Sequence, residues 1–158
     1  MRRLPLLATL LFLAVVALLG CEGLHITDPD PGEECDIRDD GGVCVLLDVP
    51  ATVGQTDTLV ARLRYVNLRP VPVTVASAYG CNAFVGVFRG DTRIPFPATD
   101  YFCTTAFSSF TLGPHEAHTD TWTLPIGPDE TPLEPGSYRF EADLNTHGRT
   151  LVRAFEVR

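Results

Sequence analysis

Residues 43–158 predict an all-β sandwich, and three observations carry that prediction. Apolar and polar residues alternate with period two over eight short segments; 13 glycines and 13 prolines in 158 residues supply frequent turns; and no convincing amphipathic helix interrupts the pattern. The first segment, 43–49, sets Val43, Val45, Leu47 and Val49 against Cys44, Leu46 and Asp48, and 52–57 then forms a largely polar turn. In 59–65, Leu59, Ala61, Leu63 and Tyr65 face one way while Arg62 and Arg64 face the other. Pro70 and Pro72 put the start of the third strand, 71–79, at a sheet edge. Strands at 83–88, 107–112 and 117–124 follow, closed by turns at Gly90-Asp91 and Gly113-Pro114, with Trp122 on the last of them. The cleanest alternation is 138–144, where Tyr138, Phe140, Ala142 and Leu144 oppose Arg139, Glu141 and Asp143. The last strand, 151–157, has Arg153 out of phase, which predicts a bulge. Seven or eight such strands describe an immunoglobulin-like β-sandwich, although spacing leaves the strand order open. Leu133-Glu134-Pro135-Gly136-Ser137-Tyr138 resembles the turn before a buried tyrosine in such sandwiches, whose hydroxyl satisfies backbone across the corner. A plain turn followed by a core aromatic reads the same way.

The N-terminus has a different logic. Arg2 and Arg3 precede an almost unbroken apolar run, 4–19, that ends in Leu18-Leu19-Gly20-Cys21. A positive start and a short apolar stretch predict a signal helix over residues 1–20, too short for a simple membrane span. Leu-Leu-Gly-Cys resembles the lipobox of bacterial lipoproteins, which implies lipidation at Cys21 and a membrane partner reached through that lipid. Two or three acyl chains would anchor the chain durably. Glu22 follows the cysteine where inner-membrane retention uses aspartate. By resemblance to Gram-negative lipoproteins, this implies the cell envelope, on the periplasmic face of the outer membrane. Residues 21–42 hold eight carboxylates and one arginine with few apolar groups, and so predict a disordered acidic tether. Asp36, Asp40 and Gly41 look superficially like a calcium loop, but Arg38 and Leu47 stand at the third and twelfth ligand positions, which excludes an EF-hand.

Charge and cysteine arithmetic narrow the function classes. All 12 basic residues are arginines, scattered singly after position 3, which argues against a nucleic-acid groove. The formal charge of −8 is concentrated in the tether, so the sandwich itself is nearly balanced. Lipidation at Cys21 leaves four cysteines, Cys35, Cys44, Cys81 and Cys103, as disulfide candidates with three connectivities open. Cys44 shares a face with Asp48 and lies near Cys35 in sequence, and Cys81 and Cys103 would then form the second pair. A zinc site competes for the same cysteines and for His25, His115, His118 and His147, but no Cys-x-x-Cys exists and export makes disulfides the default. The sequence therefore predicts no metal and no cofactor.

Catalytic constellations are not found. In His115-Glu116-Ala117-His118 the histidines are three apart, whereas the zinc protease motif needs them four apart on a helix. On a strand these two face opposite sides and read as turn-proximal surface histidines. Ser108-Ser109 lacks a nucleophile elbow, and Gly-rich phosphate loops are absent. A non-enzymatic protein is expected.

Three segments together carry a family likeness: Tyr65-Val66-Asn67-Leu68-Arg69-Pro70-Val71-Pro72-Val73; Phe110-Thr111-Leu112-Gly113-Pro114-His115-Glu116 leading to Trp122; and Gly136-Ser137-Tyr138. Over about residues 57–146 the chain resembles the intracellular proteinase inhibitor (BsuPI) family. That resemblance implies a binding module whose partner is a protein or peptide, with a protease as the family's example. The contact loops would be 90–101, where Arg93 and Ile94 would suit a trypsin-like pocket or else read as an ordinary surface arginine beside a core isoleucine, and 125–135. The alternative is a structural or accessory envelope lipoprotein without inhibitory activity.

Overall fold

The computed structural model describes residues 34–95, 106–127 and 132–158. The signal helix, Cys21 and most of the acidic tether lie outside the described residues. The described chain falls within one compact unit, Glu34–Arg158.

That unit is all β. Its strands are β1 (Ile37–Arg38), β2 (Val43–Asp48), β3 (Thr52–Val53), β4 (Thr58–Asn67), β5 (Val73–Ser77), β6 (Ala83–Arg89), β7 (Thr92–Ile94), β8 (Ser108–Leu112), β9 (Ala117–Pro125), β10 (Gly136–Leu144) and β11 (Arg149–Val157). One sheet has the order β1-β2-β4-β9, the second β3-β11-β10-β6-β7, and β5 and β8 form a two-stranded ribbon. Neighbours pair antiparallel except β3 with β11. The inward phase of each long strand supplies the core: Val43, Val45 and Leu47 from β2, Leu59, Ala61, Leu63 and Tyr65 from β4, and Tyr138, Phe140, Ala142 and Leu144 from β10. Complete burial of such a side chain stabilises by about 1.5–3 kcal/mol against leaving it in water. This two-sheet packing is the expected sandwich, and all eight anticipated strands are present with ends shifted by a few residues.

Two expectations need correction. The sandwich begins at Glu34 rather than Val43, because the last part of the acidic segment is packed into it. Cys35 is bonded to Cys44, Ile37 is buried in the core, and the Asp36 amide donates to the Val45 carbonyl. Gly42, at φ +83°, closes the turn between β1 and β2 in a conformation that favours glycine. Asp39 accepts the Val43 amide at 2.7 Å across the same turn. The second correction is at Arg153, where no bulge forms: β10 and β11 pair without a break from Gly136↔Val157 to Leu144↔Arg149. Arg153 keeps the inward phase of Leu151, Phe155 and Val157, and its guanidinium pairs with Asp36. Asp36 also accepts the Leu47 amide at 2.7 Å. A carboxylate assigned by composition to the tether thus neutralises the one arginine that breaks the alternation.

Candidate functional site

Several residues singled out in the sequence serve the fold. Asn67 is fully buried. Its side-chain amide donates to the carbonyls of Val71, Leu112 and Gly113, and its oxygen accepts the Arg69 amide. The Pro-Val step and the Leu-Gly-Pro turn, far apart in sequence, therefore meet on one side chain whose polar groups are all used, as burial requires. Tyr138 is buried, and its hydroxyl donates to the Glu134 carbonyl at 2.8 Å, the corner bond expected from the turn at 133–138. Trp122 is buried with its ring centroid 6.4 Å from that of Phe140.

The cysteines divide in the same way. The Cys35–Cys44 bridge ties the incoming segment to β2 with a Cα separation of 5.4 Å, and Cys44 is buried on the face of β2 away from the main core. Cys81 is also disulfide-bonded. The Cys81–Cys103 pairing expected from the sequence falls on Cys103, which lies outside the described residues, as does Cys21.

The histidines stand apart from each other. His115 is exposed in the turn before β9 with φ 58°. His118 faces inward opposite Tyr65, and its Nε2 lies 3.0 Å from Asp120, which in turn accepts from Asn82 at 2.8 Å. It is therefore half-buried in a polar network rather than a plain surface residue. His147 stacks on Tyr65 at 6.4 Å between ring centroids, with Nε2 3.3 Å from Asp39. The Tyr65 hydroxyl is buried, with the Thr146 side chain as its polar neighbour but outside good hydrogen-bond geometry. Burial pushes its pKa far up and keeps it protonated. Among the described residues no group of three His, Cys, Asp or Glu side chains is placed to hold a metal ion.

Arg93 and Ile94 do not project from a loop. They form the short edge strand β7, with Arg93 opposite Phe88 and Ile94 opposite Val87. Ile94 packs on the core, while Arg93 lies on the outer face and donates to the Val85 carbonyl at 3.1 Å. The rest of loop 90–101, beyond Pro95, lies outside the described residues, and so does 128–131 of the second expected loop.

The outer face of the β11-β10-β6-β7 sheet is the most distinctive accessible surface. Along β6 the inward residues are Ala83, Val85 and Val87, so Phe84, Gly86 and Phe88 form a row on the solvent side. Their partners on β10 are Asp143, Glu141 and Arg139, respectively. Gly86 keeps the middle of the row low: a Cβ there would come within 3.0 Å of the Phe88 ring and 3.3 Å of Arg93 Nε. A depression of about 240 Å³ results, with Phe84, Phe88, Arg93, Glu141, Asp143 and Thr150 around it. Phe84 is 42% exposed and packs one side against Tyr79, at 5.6 Å between centroids. An aromatic row on the solvent phase of a strand is visible in the sequence at 84 and 88. Its carboxylate neighbours are not, because they depend on cross-strand register.

No family model matches the chain, and no curated protein is similar to it. Among solved structures, a β-glucosidase from Listeria innocua in complex with glucose is similar at 15% identity, covering 84% of this chain and 20% of its own length, with a TM-score of 0.44. The CARDB domain of a Pyrococcus furiosus protein in complex with di-metal ions is similar at 18% identity over 73% of this chain and 91% of that domain, with a TM-score of 0.41. A β-glucosidase from Erythrobacter marinus matches at 12% identity, 72% and 16% coverage and a TM-score of 0.41. The chain spans about a fifth of the length of the Listeria enzyme, and likenesses this distant carry no argument about activity.

Proposed function

We propose that this chain is a lipid-anchored, non-enzymatic binding module of the cell envelope that engages a protein or peptide partner. The lipobox-like Leu18-Leu19-Gly20-Cys21 supports the anchor, with the periplasmic face of the outer membrane as its place by resemblance to Gram-negative lipoproteins. The observation that carries the binding reading is the outer phase of β6, where Phe84 is exposed and Phe88 half-buried among polar neighbours. Exposed aromatic rings set among polar groups are characteristic of protein contact surfaces. The BsuPI resemblance makes a protease the first partner to test. Arg93 then acts from the sheet edge rather than from a loop.

The full chain, expressed in a Gram-negative host and solubilised in detergent, should retain a protein partner from envelope extracts, and labelled fatty acid should be incorporated. Cys21→Ala should abolish the incorporation. A panel of serine proteases including trypsin, assayed at micromolar chain, tests the inhibitory form. Silence across that panel removes inhibition, and silence in capture as well removes the binding reading, leaving the accessory lipoprotein.

A further inference from the structure

The structure repeats one arrangement, and the repetition has a gap. At the end of the sandwich, Arg89 lies over the Tyr138 ring at 5.6 Å and is held by Glu134 at 2.6 Å. On the outer face, Arg139 lies over the Phe88 ring at 5.0 Å and is held by Glu141 at 2.6 Å. Each station combines an aromatic ring, an arginine on its face and a carboxylate fixing the arginine, the pairing expected of cation–π and charge-assisted contacts. Four residues along β6 from Phe88, Phe84 stands opposite Asp143, which provides the ring and the carboxylate but no cation. Among the described residues Asp143 has one polar partner, the Thr150 hydroxyl at 3.4 Å. Arg93, which lines the same depression, donates from one guanidinium nitrogen to the Val85 carbonyl.

We infer that Phe84 and Asp143 form a receptor for a basic side chain, arginine or lysine, presented by the polypeptide partner. The inference rests on the binding-module reading and names its chemistry. Gly86 leaves the space between the filled and the vacant station low enough for an incoming chain to lie across β6. The incoming cation would stack on the free face of Phe84, whose other side is covered by Tyr79, and pair with Asp143. Thr150 sits opposite Asp143 on β11 and orients the carboxylate. Glu141 is paired with Arg139 whereas Asp143 makes no ion pair among the described residues, and the one cation lining the depression, Arg93, turns to the Val85 carbonyl.

The test is a titration of the isotope-labelled full chain in detergent micelles with acetyl-Gly-Arg-Gly-amide, followed by amide chemical shifts. The uncharged control replaces arginine with citrulline. Shifts should centre on Phe84, Asp143 and Thr150, with roughly millimolar affinity for so small a probe. Asp143→Asn should weaken binding by about fivefold, as loss of an exposed ion pair predicts, whereas Asp48→Asn on the opposite sheet should leave it unchanged. Phe84→Ser is the second variant and should weaken binding comparably. Equal shifts with citrulline, shifts centred elsewhere, or full affinity in Asp143→Asn would overturn the inference. Partner capture from envelope extracts that persists undiminished in Asp143→Asn would sink this receptor while leaving the binding-module reading standing.

Discussion

Asn67 and Phe84 are both places where the alternation of apolar and polar residues is broken, and they are resolved oppositely. Asn67 puts an amide on the buried end of β4 and spends every polar group it has on Val71, Leu112, Gly113 and Arg69. Phe84 puts a ring into water on β6, and its cross-strand neighbour Asp143 has a hydroxyl at 3.4 Å and no cation. Arg153 belongs with Asn67, since Asp36 answers it from within the same chain. The lesson is that a mismatch answered internally stabilises the fold, whereas one left open on the surface is available to a partner. Composition does not separate the two cases; the partners do.

The first way to break this contrast is Asn67→Leu, which leaves three carbonyls without their donor in or near the core. Equilibrium unfolding should show a loss of about 3 kcal/mol, from the cost of unsatisfied buried acceptors, and a loss below half that would put Asn67 among the dispensable polar residues. Removing the bridge with Cys35→Ala and Cys44→Ala together should cost about 2.5 kcal/mol on the chain-entropy model for its short loop. It should also release residues 34–38 to limited proteolysis; protection of that segment in the variant would show that Ile37 and Asp36 hold it alone. Tyr138→Phe removes only the corner bond to Glu134, for about 1 kcal/mol by thermal unfolding. Smallest of all, Phe84→Ser should change stability by no more than about 0.5 kcal/mol, as surface substitutions do.

Much of the sandwich was legible because long half-buried strands impose period two on their residues. The strands that escaped, β1, β3 and β7, are two or three residues long, too short to show any period. The end of the acidic segment departs from its composition for a different reason. Asp36 and Asp39 look solvated by composition, and only the fold brings Arg153, Leu47, Val43 and His147 to them. The bulge expected at Arg153 failed because a local pattern cannot see a carboxylate arriving from 117 residues away in sequence. The tyrosine corner was readable because its donor and acceptor are four residues apart. At the candidate surface, Phe84 and Phe88 could be read from β6 alone, while Asp143 could not, since it comes from β10 through register. Arg93 reads in the sequence as a loop arginine, because a three-residue edge strand after Gly90-Asp91 looks like more turn.

The central claim is that the outer face of β6 and β10 serves a partner and not the fold. Its most direct test is the Phe84→Ser, Asp143→Asn double variant of the full chain, measured side by side for thermal unfolding and for partner capture from envelope extracts. A midpoint within about 4 °C of the parent is expected, as for two surface substitutions of up to about 0.5 kcal/mol each, together with loss of the captured partner. Retained capture at an unchanged midpoint, or an unfolding midpoint lowered as far as in Asn67→Leu, would contradict it.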